Sequence, residues 1–409
     1  MLVKNKLIIA ALALSLSGCA SISDWFADEE ELEVRRLKPI EASFNPSIKW
    51  DIEVGDGVYD YFSRLTPVAA YDKVFAASRD GLVVAVDPNS GKTLWEQDFA
   101  NYDNYSLRKA LLWYSNRAVS AKISGGLVAA YNSVFFGTED GYVYSLNEAT
   151  GEVNWKVSVP GEVIAPPAVD GGVVLVNTTS GQLIALNPSD GVQRWVNETD
   201  VPPLSLRGVS APAADSGGAI IGTPAGKLQV SILETGLVAW ETQIASPSGA
   251  TELERIVDID VKPLVFGGNV YVISYNGALS AVELRTGQVV WTREYSSYRN
   301  VSIAGNRLFV VDKESQLFAI DRRSGVEMWS NVVLKGRNIT AATPHGDYVV
   351  VGDEYGFVHY FSQDEGKLVA RIAVGDDDEE EGIYVEPVSA DDVLYVQTRD
   401  GKLAAVVKP

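Results

Sequence analysis

Cysteine and histidine are scarce in this sequence. Its 409 residues contain one cysteine, Cys19, and two histidines, His345 and His359. A single thiol excludes an intrachain disulfide and a metal centre built from several cysteines. Two histidines argue against a histidine-rich metal site and against a His-based catalytic triad. We therefore predict no metal site, no cofactor and no enzymatic activity.

Basic residues are also outnumbered. Lys and Arg total 34 against 54 Asp and Glu, which gives a net charge of −20. Binding to nucleic acid depends on basic patches that neutralise phosphates, so we expect no nucleic-acid partner. For the same reason we expect no binding to anionic lipids through a basic face. By contrast, 46% of the residues are hydrophobic, which is enough for a large packed core.

Long hydrophobic runs are missing as well, apart from one near the N-terminus. Leu7 to Leu16 follows the positive residues Lys4 and Lys6, and it is shorter than the roughly 20 apolar residues that span a bilayer. Leu16-Ser17-Gly18-Cys19 comes next and resembles the lipobox of bacterial lipoproteins, in which the cysteine is acylated after cleavage. The alternative is an ordinary signal peptide with a chance cysteine.

These features predict three parts of the chain. Residues 1–18 are a lipoprotein signal peptide, residues 19–44 are the lipidated Cys19 and a polar, acidic tether, and residues 45–409 are one folded domain. Ala20 follows the cysteine, which by resemblance to known lipoproteins implies sorting to the outer membrane. We expect a lipid-anchored protein on the periplasmic face of that membrane.

One repeat accounts for most of the remaining sequence. Its frame is a glycine, a second glycine ten residues later and a tryptophan fourteen residues after the first, as in Gly81, Gly91 and Trp95. Later copies reach the same tryptophan position at Trp155, Trp195, Trp240, Trp291 and Trp329. The seventh copy has Ala370 there, and the eighth begins at Gly401 and stops before its tryptophan.

Each copy reads as four short strands separated by turn residues. The first strand often starts at a proline, and proline is tolerated on the edge of a sheet; these prolines are Pro67, Pro167, Pro212, Pro263 and Pro387. Eight such units predict an all-β fold, an eight-bladed β-propeller of four-stranded antiparallel blades. A strand around Trp50, within residues 46–54, would complete the last blade at residues 387–408 and close the ring.

The repeat resembles that of the pyrroloquinoline-quinone propellers. Two classes share it: the quinoprotein dehydrogenases and the BamB family, the lipoprotein components of the outer-membrane β-barrel assembly machinery. The lipobox, the short tether and the eight repeats resemble BamB over nearly the whole chain. Calcium and vicinal cysteines, which the dehydrogenase resemblance implies, have no match here. A dehydrogenase-like propeller and a ligand-binding periplasmic propeller remain the alternatives.

Two loops carry the BamB resemblance at the level of residues. Leu204-Ser-Leu206-Arg207-Gly208 and Asp258-Ile-Asp260 are similar to two loops of that family. The resemblance implies that Leu204, Leu206, Arg207, Asp258 and Asp260 contact the periplasmic POTRA domains of BamA. It also implies a scaffold within the assembly complex that aids folding and insertion of outer-membrane proteins, with unfolded clients as further candidate partners.

The repeat spacing makes these two loops neighbours. Arg207 and Asp258 each lie five residues before a first-strand proline, so we expect them on the same face at ion-pair distance, with the other three residues beside them. Two alternatives stay open: the leucines pack beneath the loop, or the charges form a solvated pair of little energetic worth.

Two further segments have open interpretations. Residues 101–126 form an aromatic insertion, which is either a short helix covering one face or a surface for a partner or membrane. Residues 376–381 are six consecutive acids, which are either a solvated loop or a calcium-binding segment.

Overall fold

The computed structural model describes residues 33–34, 36–102, 118–202, 204, 206, 208–377 and 379–409. Contacts divide the chain into two units, Met1–Pro39 and Ile40–Pro409. Cys19, the predicted signal peptide, Arg207 and most of the aromatic insertion lie outside the described residues. Across the described ranges, no helix combines the length and the apolar character needed to cross a membrane.

The described strands of the second unit form eight four-stranded antiparallel sheets and one two-stranded sheet. The strands of the first half are β1 (Ser47–Glu53), β2 (Val68–Ala70), β3 (Lys73–Ala77), β4 (Leu82–Val86), β5 (Thr93–Asp98), β6 (Asn101–Tyr102), β7 (Ala118–Val119), β8 (Ile123–Ala130), β9 (Ser133–Thr138), β10 (Tyr142–Asn147), β11 (Val153–Ser158), β12 (Ala168–Asp170), β13 (Val173–Asn177), β14 (Gln182–Leu186), β15 (Gln193–Glu198), β16 (Ala213–Asp215), β17 (Gly218–Gly222), β18 (Lys227–Ile232) and β19 (Val238–Gln243).

The strands of the second half are β20 (Leu264–Phe266), β21 (Asn269–Ile273), β22 (Leu279–Glu283), β23 (Val289–Arg293), β24 (Ser302–Ala304), β25 (Arg307–Val311), β26 (Leu317–Asp321), β27 (Glu327–Asn331), β28 (Thr343–His345), β29 (Tyr348–Gly352), β30 (Phe357–Ser362), β31 (Leu368–Ala373), β32 (Val388–Ala390), β33 (Val393–Gln397) and β34 (Lys402–Val407). Blades 1 to 7 begin at β2, β8, β12, β16, β20, β24 and β28, and blade 8 combines β32, β33 and β34 with β1. The predicted eight-bladed β-propeller is therefore confirmed.

Ring closure occurs as the sequence predicts. Strand β1 pairs antiparallel with β34, from Ser47 opposite Val407 to Glu53 opposite Lys402, and Trp50 lies opposite Ala405. The last blade is thus built from both ends of the propeller. Closure leaves none of the eight blades without a neighbour on either side.

A tryptophan in the fourth strand joins each of seven blades to the next. Trp95, for example, donates its indole N–H to the carbonyl of Glu148 in the following blade at 2.9 Å. The same bond, 2.8–3.0 Å long, recurs at Trp50, Trp155, Trp195, Trp240, Trp291 and Trp329. The repeated tryptophan is therefore an inter-blade fastener with a satisfied polar group.

The second repeated glycine is the surface on which this tryptophan packs. Gly151 has a φ of +74°, and a Cβ added there would lie 2.6 Å from the Trp95 ring. A side chain would strain the turn and also displace the indole. The ten-residue spacing between the glycines thus places a turn under the ring of the preceding blade.

The junction between blades 7 and 8 lacks the tryptophan contact and is filled by other aromatic side chains. Blade 8 has no turn between its third and fourth strands, because β34 and β1 come from opposite ends of the propeller. Ala370 is fully buried opposite Tyr360, whereas the other blades place the large ring on the fourth strand. Phe44 packs against Tyr360 and Tyr348 at centroid distances of 5.4 and 4.8 Å. The missing tryptophan is thus offset by two aromatic rings from other positions.

The first strand of each blade lies at the axis. First strands of neighbouring blades contact one another, as β2 does with both β8 and β32. The five prolines named above directly precede first strands, where their missing N–H leaves no gap in a ladder. Because strands alternate in direction, the loops from each fourth strand to the next first strand share one side of the disc, which we call the loop face.

Candidate partner-docking site

The loop between β15 and β16 carries the predicted leucines on the loop face. Leu204 is 47% exposed, and Leu206 is partly buried. The backbone N–H of Leu206 donates to Oδ2 of Asp258 at 2.6 Å, across 52 residues of sequence. A carboxylate that accepts a backbone N–H fixes the loop at that point. Leu204 is consequently presented to solvent from an anchored segment.

The segment between β19 and β20 supplies the surface beneath this loop. Its apolar residues Val257, Ile259 and Val261 are buried in the core, and they alternate with polar ones. Asp258 and Asp260 are also buried, at 2% and 6% exposure. Gly208 lies directly against the Asp260 carboxylate, where a Cβ would clash. The aspartates therefore support the leucine loop from below. Because both are buried, the alternative of a solvated charge pair is wrong for Asp258 and Asp260.

The structure brings Leu204, Leu206, Asp258 and Asp260 into one patch. Arg207 belongs to the same loop but lies outside the described residues. Its predicted proximity to Asp258 therefore stays a prediction.

Burial shifts the titration of both aspartates. Desolvation, followed by the charge of Asp260, raises the pKa of Asp258 to about 7. Desolvation raises the pKa of Asp260 to about 6, and the positive charge of Arg64 opposes that rise. Near neutral pH the patch thus holds negative charge in a poorly solvated place, an arrangement often found at functional sites.

Arg64 is a residue of this site that the sequence prediction missed. Its Nη1 donates to the carbonyls of Asp260 at 2.7 Å and Val209 at 3.0 Å. Arg64 precedes blade 1, whereas the two carbonyls flank blade 4 across the axis. All three residues lie three positions before a first-strand proline. That shared repeat position is the signal by which the contact could have been found.

The two segments with open interpretations are described only in part. The ends of the aromatic insertion pair as β6 and β7, and residues 103–117 lie outside the described range. In the acidic segment Asp376, Asp377, Glu379 and Glu380 are exposed, whereas Glu381 approaches Lys402 at 3.3 Å. Among the described side chains, no group of three or more His, Cys, Asp or Glu is placed to hold a metal ion.

The fold and the repeat together define the class of protein. Eight four-stranded blades, of which seven pack a tryptophan on the glycine turn of the next blade, make this chain an eight-bladed propeller with pyrroloquinoline-quinone-type repeats.

Comparison with known proteins identifies the family within that class. A family model described as outer membrane protein assembly factor BamB matches residues 79–331. The chain is 55% identical to the BamB of Alteromonas naphthalenivorans over 398 residues, which cover 97% of this chain and 94% of that protein. It is 42% identical to the BamB of Shewanella oneidensis over 407 residues, 99% of each. The crystal structure of BamB from Moraxella catarrhalis shares the fold, with a TM-score of 0.75 at 24% identity, over 88% of this chain and 99% of that chain.

This chain therefore belongs to the BamB family of outer membrane protein assembly factors.

We predict that Arg64→Met loosens the leucine loop. Methionine keeps much of the side-chain length but removes two hydrogen bonds from a charged donor, each contributing about 1.5–3 kcal/mol. Amide hydrogen exchange at Leu206 should accelerate about tenfold or more. Arg322→Met is the matched control, because Arg322 donates to the carbonyl of Gly305 on the opposite face. Unchanged exchange at Leu206 in Arg64→Met would contradict the role of Arg64.

We predict that Asp258→Asn stabilises the protein selectively at higher pH. The pKa of Asp258 is raised on folding, so between about pH 4 and 7 the folded state binds more protons than the unfolded state, and stability is lost as the pH rises. Asparagine does not titrate and keeps an oxygen for the N–H of Leu206. From pH 5 to pH 8 the free energy of unfolding of the variant should gain about 2–3 kcal/mol relative to the wild type.

Urea unfolding at the two pH values measures this difference. Asp60→Asn is the control, because Asp60 is exposed and should give the same difference at both pH values. If Asp258→Asn changed the free energy of unfolding equally at both pH values, the claim that burial raises the pKa of Asp258 would be wrong.

Proposed function

We propose that this protein is a non-enzymatic scaffold of the outer-membrane β-barrel assembly complex. It docks on the periplasmic POTRA domains of BamA and aids the folding and insertion of unfolded outer-membrane proteins. Its membership of the BamB family supports the assembly role. The observation that carries the docking surface is the exposed Leu204 on a loop held by the bond from Leu206 to Asp258.

An anchored loop is suited to this task. Association costs the ordering of side chains and loops at the interface, and a loop already fixed in place lowers that cost. Leu204 offers an apolar anchor, and Arg207 adds a charge in the same loop. Asp258 and Asp260 act beneath them by fixing the backbone and setting the local negative potential. Binding energy should then concentrate on the few residues that the loop presents.

The membrane attachment in this proposal is lipid. Cys19 carries the acyl chains, and the tether that follows places the propeller at the periplasmic face of the outer membrane. Each buried methylene contributes about 0.8 kcal/mol, so several acyl chains on one residue give firm anchoring.

Leu204→Asp should weaken binding to purified BamA POTRA domains about tenfold or more, because it places a charge at the apolar anchor. Isothermal titration calorimetry measures the affinity. Leu237→Asp is the matched control: Leu237 is 66% exposed and lies in a turn on the face opposite the loop face. Equal affinities for Leu204→Asp and the wild type would rule out this docking surface.

Cys19→Ser should move the protein from the membrane fraction to the soluble periplasmic fraction. Its thermal unfolding should be unchanged, because the propeller unit begins at Ile40. Ser23→Ala is the control that should stay in the membrane fraction. A folded Cys19→Ser protein that remains there in cells lacking BamA would refute the lipid anchor.

A further inference from the structure

A chamber lies on the axis at the loop face. The chamber has a volume of about 360 Å³ and continues into a channel of about 570 Å³ between the first strands. Its size falls in the range of small-ligand pockets. One repeat position, two residues before the first strand in seven of the eight blades, contributes a ring around its wall: Thr66, Pro166, Ala211, Lys262, Asn300, Ala341 and Glu386.

Lys262 is the unpaired cation of this ring. Within the described residues its Nζ has no hydrogen-bond partner, and no carboxylate lies within 4.0 Å. Its backbone N–H donates to Asn300, whose side chain in turn donates to Glu386 at 2.7 Å. Lys262 is exposed as a residue, yet protein surrounds its ammonium group enough that desolvation lowers its pKa, with Glu386 opposing that shift.

Arg64 contributes a second cation to the same wall. Among the described residues only its Nη1 donates to protein carbonyls, so the rest of the guanidinium remains able to donate. Tyr61 and Phe62 stand at the chamber mouth with 47% and 44% of their surfaces exposed, and Phe62 lies 5.6 Å from the Arg64 guanidinium carbon. The chamber therefore combines donors for an anion with an aromatic surface.

The charge balance of the chamber is opposite to that of the protein. Four cations line it, Arg64, Lys262, Arg299 and Arg399, against the two acids Glu354 and Glu386. The whole chain has a net charge of −20. Low-dielectric walls focus such a local potential and attract a ligand of opposite charge.

We propose that this chamber binds a carboxylate attached to an aromatic or large apolar group. Lys262 and Arg64 receive the carboxylate, because charge-assisted hydrogen bonds to a carboxylate are the strongest available to them. Tyr61 and Phe62 cover the apolar group at the mouth. Two sources carry this chemistry, the carboxyl-terminal end of a polypeptide and a free aromatic acid. The site is separate from Leu204 and does not require that BamA be the partner.

Two probes distinguish the sources. N-acetylphenylalanine imitates a chain end, and benzoate is a free aromatic acid. Each is titrated into the full-length protein while the backbone amides of Lys262 and Asn300 are followed by NMR at low salt. N-acetylphenylalanine amide lacks the charge, and acetate lacks the apolar group. We expect saturable shifts with one or both aromatic carboxylates, and binding at least tenfold weaker with the amide and with acetate.

The test variant is Lys262→Met, which keeps most of the length of the side chain and removes its charge. It should weaken binding about tenfold, the value of one charge-assisted hydrogen bond. Lys227→Met is the matched control, because the Lys227 side chain is 42% exposed and paired with Glu241. Thermal unfolding of both variants checks that the propeller is intact. Absence of saturable shifts, equal binding of acetate, or wild-type affinity in a folded Lys262→Met protein would overturn the proposal.

Discussion

The structure depends on the contact between an indole ring and the turn of the next blade. Each fourth-strand tryptophan covers a glycine that has no room for a side chain and donates its N–H to a carbonyl of that turn. Such a contact satisfies the only polar group of a large ring that is buried or partly buried, so the apolar gain is not offset by an unpaired donor. Repetition at seven junctions makes each blade a template for its neighbour. The remaining junction, between blades 7 and 8, is filled by Phe44 and Tyr360.

A rigid ring turns its loop face into a surface of fixed geometry. The leucine loop gains its position from long-range contacts, the bond from Leu206 to Asp258 and the packing of Gly208 on Asp260. These contacts require ionisable groups in a poorly solvated place, where their charge costs stability. Proteins commonly retain such costs where function needs a particular electrostatic field. Family membership and the exposed Leu204 support the proposed docking role of the loop that lies in this field.

The axis joins the two sites of the loop face. Arg64 reaches across the channel to the backbone that carries Asp260, and the same guanidinium forms part of the chamber wall. Residues at one position of the repeat lie side by side around the axis. A different residue type in one blade therefore changes the chemical character of that part of the chamber wall. Most members of the ring are small or apolar, and Lys262, Asn300 and Glu386 give one arc a polar character.

Local, periodic features were determined by the sequence alone. The Gly, Gly and Trp spacing specified hairpins, blade number and the closing strand at Trp50, because each signal acts within one blade or between adjacent blades. The matched loops likewise indicated Leu204, Leu206, Asp258 and Asp260. Only the tertiary structure decided that the aspartates are buried, that Phe44 and Tyr360 fill the space beside Ala370, and that the Lys262 ammonium has no partner among the described residues. Arg64 contacts residues 145 and 196 positions away, and a contact across the ring exists only once all eight blades have closed around the axis.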